Sequence, residues 1–441
     1  MKSVALAIEE RTPHGIAAGI SRLITTGDLA PGDRLPTVRD LAAELSVSPA
    51  TVSHAWQTLS AAGLITSRGR SGSFVRSLPR DWMPHRYQRL EGSLDADLDL
   101  SRGTPDPALL PGLGRVLAGI DVRTETVAYQ AKPDIPELHD LLRDTWPSPV
   151  ESITVTNGAL DAIDRVLATL VRYGDRVVVE TPTFPPFLDL LEAYGLEAVG
   201  VPMDEAGMLP GPFTAALKSS PAIVLMQTRA NNPTGASLTP ERALELALVL
   251  KRSRTAPHTV VIEDDHSGSI SSSPDVSLAS ALPERVLHVR SFSKSHGPDL
   301  RIGALGGPRT LVDRVVARRL LGPGWTSRTT QKLLHALLTD PVAVAEVEAA
   351  REEYAARRAA FTAALAEAGL RIPPGDGINA WLPVADERAA LVNLAAAGIR
   401  VAPGAPFHLG ELAPHVRVTV GRVPVESAGA VAAALADAAV A

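Results

Sequence analysis

Apolar residues recur with a helical period over about the first 77 residues and predict three short helices followed by a hairpin. Ile16, Ile20 and Ile24 share one face of a helix that begins at His14 and ends at Gly27. Two more helices and two short strands follow, with helix caps at Thr37 and Ser48 and strands at 64–66 and 73–75. This order predicts a separately folded N-terminal domain, residues 1–77.

The same order of elements predicts a DNA-binding surface. Two short helices joined by a tight turn and followed by a hairpin are the geometry that lays the last helix in the major groove. The third helix turns polar side chains outward, and the hairpin tip is basic. A small helical domain for protein contacts is the alternative. The residues expected at double-stranded DNA are Arg34, Thr37, Arg39, Ser48, Thr51, Ser53, His54, Arg68 and Arg70.

From Ile153 onward the pattern changes to apolar strands that alternate with amphipathic helices. Strands are predicted at 153–156, 176–180, 197–201, 222–226, 259–263 and 286–289, and helices most plainly at 160–172, 186–194 and 239–252. Such alternation is typical of a mostly parallel sheet with helices on both faces and a binding site at the carboxyl ends of the strands.

The second module is predicted to span residues 98–441, after a linker at 78–97. It comprises a large domain of about 150–310 and a smaller α+β domain of about 325–441 that includes the N-terminal segment of the module. A long helical region, at about 309–321 and 328–369, leads into the smaller domain.

Lys294 lies in the chemically most distinctive stretch, Ser291-Phe292-Ser293-Lys294, which is followed by Arg301. A lysine at the end of a strand can form a Schiff base with an aldehyde, and hydroxyls with a guanidinium suit a dianionic phosphate. Only six of the 43 basic residues are lysines, so a lysine here is conspicuous. A solvated basic loop is the alternative for this stretch taken alone.

Three other strand ends carry residues that could bind an aromatic aldehyde with a ring nitrogen, a phenolic oxygen and a phosphate. Asp264 follows one strand, with Asp265 as second choice, and a carboxylate there would keep a pyridinium nitrogen protonated. Asn232 follows another and offers an amide to the phenolic oxygen. Gly158 and Ala159 open a helix after a third strand, which makes an anion site. Together these residues predict pyridoxal phosphate.

The motifs resemble those of the fold-type I aminotransferases of classes I and II, from about Leu98 to the C-terminus. The first eighty or so residues resemble a GntR-type winged helix-turn-helix. The combination resembles the MocR/GabR group of pyridoxal phosphate-dependent transcriptional regulators. The resemblance implies a multidomain fold, a winged helix-turn-helix joined to an α/β aminotransferase-like module, and a head-to-tail homodimer.

The resemblance also implies roles for individual residues. Lys294 would hold the cofactor as an internal aldimine, and Arg417 would grip the α-carboxylate of an amino compound. The phosphate would be held by Ser291, Ser293, Arg301 and the amides of Gly158 and Ala159. Phe184 would stack on the ring, and Tyr129 would reach the phosphate of the neighbouring subunit.

Three positions depart from the family pattern. His266 replaces a tyrosine that donates to the phenolic oxygen. An imidazole there could still donate to the same oxygen of the cofactor, but its titration is expected to make cofactor absorbance more pH-sensitive. Asp134 replaces a glycine close to Tyr129. Pro49 replaces a basic residue after the cap of the recognition helix.

Composition narrows the classes of protein. The whole chain has a net charge of −6, whereas residues 1–77 hold eight Lys/Arg against six Asp/Glu, a net charge of +2. Because this positive charge is small, the prediction of DNA binding rests on the fold of the N-terminal domain and not on its charge. The absence of cysteine excludes disulfides and cysteine-based metal sites, and we predict no metal. No apolar run approaches the ~18–20 residues that span a bilayer, so a cytoplasmic protein without membrane contact is expected.

Three functions remain open from the sequence. The first is a regulator in which the cofactor aldehyde or an amino compound changes the DNA-bound geometry of a dimer. The second is a working aminotransferase with an accessory DNA-binding domain. The third is a cofactor sensor that controls vitamin B6 metabolism without an amino-acid effector. The winged domain favours the first and third, and residual transamination is compatible with both.

Overall fold

The computed structural model describes residues 4–61, 63–67, 72–76, 83–90, 96–121, 128–410 and 413–440. Arg68 and Arg70, both predicted at the DNA, lie outside the described residues. The chain divides into two compact units, one formed by the residues up to His85 together with Glu192–Leu196, and the other by the rest. No helix in the described ranges is long and apolar enough to cross a membrane.

The N-terminal unit has the predicted order of elements. It contains helices α1 (Pro13–Thr26), α2 (Val38–Leu45) and α3 (Pro49–Ala61) and strands β1 (Ile65–Ser67) and β2 (Ser73–Val75). The strands pair antiparallel as the predicted hairpin. The helices pack on a core that includes Ile16, Ile20, Leu41, Val52 and Trp56. Burial of these side chains drives the three helices together, since helices this short are marginal alone.

The helix caps explain where the helices of this unit begin and end. Thr37 accepts a hydrogen bond from the amide of Asp40 at 3.2 Å, and Ser48 accepts one from Thr51 at 3.1 Å. Gly27 ends α1 in the left-handed conformation, with φ of 82°. Pro49 stands at the first helical position, where its missing N–H costs nothing.

The second unit is built on an eight-stranded sheet. Its strands are β4 (Ser152–Thr156), β5 (Arg176–Thr181), β6 (Glu197–Asp204), β7 (Gly207–Met208), β8 (Ile223–Met226), β9 (Val260–Asp265), β10 (Val286–Ser291) and β11 (Gly303–Gly307). The order across the sheet is β4-β11-β10-β9-β8-β5-β6-β7. The central strands are parallel, while β11 and β7 run antiparallel to their neighbours.

Helices surround this sheet and lead into it. They are α4 (His85–Gln88), α5 (Leu113–Ala118), α6 (Pro136–Asp144), α7 (Ala159–Leu170), α8 (Pro185–Ala193), α9 (Pro210–Ala216) and α10 (Pro240–Arg252). The faces that α9 and α10 turn to the sheet are apolar and meet the buried strand residues Val178, Val224 and Val261. The strands thus read as continuous apolar runs, as expected for a sheet covered by helices.

A smaller sheet forms the C-terminal domain. Helices α11 (Arg309–Leu320), α12 (Arg328–Thr339) and α13 (Pro341–Glu367) lead into it, and helices α14 (Glu387–Ala396) and α15 (Ala428–Ala439) cover it. Its strands, in spatial order, are β12 (Ala380–Pro383), β14 (His415–Val418), β13 (Ile399–Pro403) and β3 (Leu98–Leu100). Strand β3 pairs in parallel with β13, so the N-terminal segment of the module completes this sheet.

Two features of the secondary structure were not predicted. The helical region at 328–369 is two helices, because Asp340 caps α13 through the amides of Val342 and Ala343 and Pro341 stands at its first position. The strand β11 was not predicted because its sequence, Gly-Ala-Leu-Gly-Gly, has low strand propensity. Pairing with β4 on one side and β10 on the other overrides that preference.

Candidate functional site

A cavity of about 500 Å³ opens at the carboxyl ends of β8, β9 and β10. This edge of a parallel sheet is where ligands bind in such folds. The cavity brings together ten of the residues predicted from the sequence: Ala159, Phe184, Asn232, Asp264, His266, Ser291, Ser293, Lys294, Arg301 and Arg417.

The two neighbouring acids of β9 have different environments. Asp265 forms a bidentate ion pair with Arg229, at 2.5 and 3.1 Å. Asp264 instead faces the cavity, where its Oδ2 accepts a hydrogen bond from Gln227 at 2.9 Å and its buried Oδ1 has no partner in the described chain. Burial raises the pKa of Asp264 to about 7. A cationic ring nitrogen beside Oδ1 would relieve that burial cost, so the geometry favours Asp264 over Asp265.

Lys294 lies in the same cavity, at the end of β10. Its Nζ donates to the carbonyl oxygen of Gly103 at 2.6 Å. Burial, followed by the charge of Arg417, lowers the pKa of Lys294 to about 8. A lowered pKa increases the fraction of neutral amine at neutral pH, and only the neutral amine attacks an aldehyde.

The start of α7 forms an anion site beside Arg301. Gly158 precedes the helix with φ of 98° and offers no side-chain cap, so the first amides of α7 are available to a ligand. A Cβ on Gly158 would lie 3.4 Å from Nη2 of Arg301. Glycine therefore allows the guanidinium to approach the helix end. Ser291 and Ser293 also line the cavity.

Arg417 is buried on β14 and forms no ion pair within the described residues, although the charge of Asp99 acts on it from beyond ion-pairing distance. Its Nη2 donates to the carbonyl oxygen of Ser101 and its Nη1 to Oδ1 of Asn232 at 3.4 Å, while Nε has no partner. No described carboxylate lies within ion-pairing distance of it, and burial lowers its pKa to about 10. A Cβ on Gly103, whose φ is 63°, would lie 2.9 Å from Nη1, so glycine makes room for the guanidinium.

His266 differs from the expectation. Its Nε2 lies 2.8 Å from the carbonyl oxygen of Ala230, so Nε2 carries the proton and Nδ1 is an acceptor. Burial and the charge of Lys294 lower the pKa of His266 to about 4. With this pKa the group changes its charge below neutral pH, so the pH-sensitivity of cofactor absorbance that it is expected to cause stays a prediction for acidic pH. In this tautomer the imidazole also cannot donate to a phenolic oxygen.

Tyr129 lies outside the cavity of its own chain. Its side chain is 84% exposed and its ring centroid is 6.1 Å from that of Trp325. The nearby Asp134, which replaces the usual glycine, accepts hydrogen bonds from the amide of Val155 and the hydroxyl of Thr154. Asp134 thus ties this loop to β4. The exposed position of Tyr129 leaves it available to a second subunit.

The predicted DNA-binding residues divide into exposed and capping groups. Arg39 and His54 are exposed, and Arg34 is exposed beside Gly72, the residue directly before β2. Thr37 and Ser48 cap helices, and the hydroxyls of Ser48 and Thr51 lie 2.8 Å apart. Their hydroxyls are therefore partly committed to the helix ends.

Each of the two units is similar to a known protein family. Residues 13–75 match the model of the gntR family of bacterial regulatory proteins, and residues 124–435 match aminotransferase class I and II. The vitamin B6 salvage pathway transcriptional repressor PtsJ of Salmonella typhimurium is 37% identical over 421 residues, which cover 94% of this chain and 95% of the relative. This chain belongs to the MocR group of GntR-type transcriptional regulators.

Other relatives of this MocR-group chain point the same way. The HTH-type transcriptional regulator TauR of Rhodobacter capsulatus is 29% identical, with 89% of each chain covered. The kynurenine aminotransferase of Pyrococcus horikoshii, solved in complex with PMP, has a TM-score of 0.69 and 22% identity and covers 80% of this chain and 92% of its own. That likeness shows the aminotransferase fold of the second unit.

Gln227 and Tyr87, which line the cavity, and Glu180, which contacts Gln227, are among the residues that sequence reasoning missed. Gln227 and Glu180 are buried polar residues at the ends of apolar strands, the same signal that singled out Asp264. Tyr87, on α4 within the predicted linker, also lines the cavity and had no sequence signal.

Glu180 is a buried acid that should be replaceable by glutamine. Its Oε2 accepts hydrogen bonds from the amide of Gln227 and from Nδ2 of Asn231, both at 2.9 Å. Burial raises the pKa of Glu180 to about 8, so it is mostly protonated at pH 7. An unfolded chain ionises this group above its ordinary pKa of 4.5, so its contribution to stability falls as pH rises from about 4.5 to 8.

We therefore expect Glu180→Gln to gain stability relative to the parent as pH rises, by up to about 3 kcal/mol at pH 7. Urea unfolding at pH 5 and pH 8 measures the difference. Glu180→Ala is the control, because it removes both acceptor contacts and should destabilise the protein at either pH. A stability difference between Glu180→Gln and the parent that is the same at both pH values would contradict the assignment.

Proposed function

We propose that this regulator binds pyridoxal phosphate in the cavity of its aminotransferase-like unit and changes its DNA binding when an amino acid enters the same cavity. The observation that carries the proposal is the joint presence in one cavity of Lys294, the unpartnered oxygen of Asp264 and Arg417, which is buried without an ion pair in the described chain. A buried charge without a partner is costly, and a bound carboxylate would compensate Arg417 bidentately.

The described residues fit the cofactor at each of its groups. Lys294 would hold the aldehyde carbon, Asp264 the ring nitrogen and Asn232 the phenolic oxygen. Phe184 would lie on the ring face. The phosphate would bind the amides of Gly158 and Ala159, the hydroxyls of Ser291 and Ser293, and Arg301. When bound, the cofactor supplies an aldehyde and an electron-withdrawing ring.

The relatives support a signal connected with vitamin B6. The name of PtsJ describes a repressor of a vitamin B6 salvage pathway, and its similarity extends over both units. Pyridoxal phosphate itself is therefore proposed as one signal. Arg417 supports a second signal, an amino compound with an α-carboxylate, because the cofactor alone leaves that guanidinium without an anionic partner.

The protein is proposed to act as a head-to-tail homodimer. A single winged domain reads one half-site, and Tyr129 gains a role only when it reaches the phosphate of a partner subunit. Light scattering of the cofactor-loaded protein at micromolar concentration should give the mass of two chains. The mass of one chain would contradict the proposal.

The N-terminal unit is proposed to contact phosphates through Arg39 and bases through His54. Arg39→Ala should weaken binding to all DNA sequences alike. It should also reduce the slope of log binding constant against log salt concentration by about one, because one fewer counterion is released from the DNA. His54→Ala should mainly change the preferred sequence. Titrations of operator and unrelated DNA at several salt concentrations measure both effects, with retained pyridoxal phosphate binding as the control. An Arg39→Ala protein with unchanged affinity and salt dependence would exclude the phosphate contact.

A further inference from the structure

The side chain of Gln227 joins two residues that face the proposed cofactor. It follows β8 directly and is only 3% exposed. Its Oε1 accepts a hydrogen bond from the backbone amide of Asn232 at 2.8 Å, and its Nε2 donates to Oδ2 of Asp264 at 2.9 Å. The orientation of the amide is unambiguous, because a backbone N–H can only donate and a carboxylate mainly accepts.

The hydrogen bond to Asp264 selects which carboxylate oxygen meets a ligand. Oδ2 is occupied by Gln227, whereas Oδ1 is buried and unpartnered in the described chain. Since Asp264 lines the cavity, Oδ1 is the oxygen left for a ring nitrogen. The opposite end of the same amide holds the backbone of Asn232, whose side chain is proposed to meet the phenolic oxygen. One amide thus fixes contacts to two different atoms of the ring.

Glu180 holds the backbone of Gln227 in place. The backbone amide of Gln227 donates to Oε2 of Glu180, which also accepts from Nδ2 of Asn231. Both Glu180 and Gln227 are nearly inaccessible to solvent. The amide therefore has little rotational freedom, and a buried network in which each of these polar contacts is made is rigid.

We propose that Gln227 is a positioning residue that holds Asp264 ionised and aimed at the cofactor ring nitrogen while it holds Asn232 at the phenolic oxygen. This inference rests on the proposed binding of pyridoxal phosphate in the cavity. It assigns a role to a residue that the sequence analysis did not single out.

The physical effect has a defined direction. A donor hydrogen bond stabilises the charged form of a carboxylate, and the contact with Gln227 lowers the pKa of Asp264 against the effect of burial. Without that donor the carboxylate becomes more basic. Asp264 would then hold a proton more strongly, and a ring nitrogen bound beside it would be less fully protonated.

The test uses full-length protein loaded with pyridoxal phosphate labelled with nitrogen-15 at the ring nitrogen. The variants are Gln227→Leu and Gln227→Met, which keep most of the volume and remove both hydrogen bonds. The control is Thr228→Val. Thr228 is the next residue, fully buried, and its hydroxyl has no partner in the described chain, so the change alters the same stretch without removing a contact.

In the parent and in Thr228→Val, the nitrogen-15 resonance should be that of a protonated ring. In both Gln227 variants it should shift toward the unprotonated position, and the dissociation constant of the cofactor should rise about tenfold, as expected for loss of a charge-assisted hydrogen bond. General loosening of the fold would weaken binding without changing the protonation of the ring that remains bound.

The outcomes are distinguishable. A protonated ring nitrogen in both Gln227 variants overturns the inference, even if affinity falls. A shift in Thr228→Val of the same size also overturns it. Failure of the unsubstituted protein to bind pyridoxal phosphate appears before any variant is made, and it overturns the proposed function itself.

Discussion

Replacement of Lys294 by alanine is expected to abolish the yellow colour of the purified protein. The described cavity contains this lysine and no other, its Nζ lies inside it, and burial lowers its pKa to about 8. No other lysine of the described residues lines the cavity, so none is placed to react with the aldehyde of a cofactor whose phosphate is bound at the start of α7. The absorbance spectrum of the protein loaded with pyridoxal phosphate measures the loss, which should be complete.

Lys251→Ala is the matched control for this prediction. Lys251 is an exposed lysine in the last turn of α10, remote from the cavity lining, and its replacement should leave the colour unchanged. Borohydride reduction of the parent protein followed by peptide mapping should label Lys294. Labelling of any other lysine would show that the assignment is wrong.

Asp264→Asn should weaken cofactor binding by about 100-fold or more. Asparagine keeps the shape of the side chain but removes the negative charge opposite the ring nitrogen, and breaking a buried charge pair costs about 3–5 kcal/mol. Titration with pyridoxal phosphate, followed by absorbance, gives the dissociation constant.

The neighbouring acid provides the control for Asp264. Asp265→Asn removes a charge from the same strand, but that charge is paired with Arg229 on the other side of β9. It should lower the melting temperature and leave cofactor affinity within a few-fold of the parent. Equal loss of affinity in both variants, or a larger loss in Asp265→Asn, would contradict the assignment of Asp264 to the ring nitrogen.

The carboxyl ends of the strands explain how much of the site was predictable. Lys294, Asp264 and Asn232 each follow an apolar run, and parallel strands bring their carboxyl ends to one edge of the sheet. Recognition of the strands was therefore enough to bring these side chains together. Gln227 is likewise a polar residue directly after an apolar strand. Its proposed role, however, depends on two hydrogen bonds that no spacing in the sequence reveals.

Other features depend on tertiary contacts that local pattern does not encode. Strand β11 is rich in glycine and forms because two neighbours pair with it. The proton on Nε2 of His266 follows from the position of the carbonyl of Ala230, which is 36 residues away in the chain. That Arg417 donates to an amide and a carbonyl oxygen and forms no ion pair within the described residues became visible only when the surroundings of β14 were known.

An active aminotransferase would need the same cavity residues, so the cavity alone does not separate the two functions. Lys294, Asp264, Asn232 and Arg417 suit a half-reaction as well as a sensor. The gntR-family unit and the relatives that are transcriptional regulators favour regulation. A regulator must connect the contents of the cavity to DNA binding, whereas an enzyme need not.

The most direct test is a footprint of the protein on the DNA upstream of its own gene, with and without pyridoxal phosphate and a panel of amino acids. We expect protection of two half-sites that changes when pyridoxal phosphate is added and changes again with one of the amino acids. In Arg417→Gln the amino acid should lose its effect while the protection and the effect of pyridoxal phosphate remain. Absence of protection at low salt, together with turnover of an amino acid and a keto acid, would contradict the account.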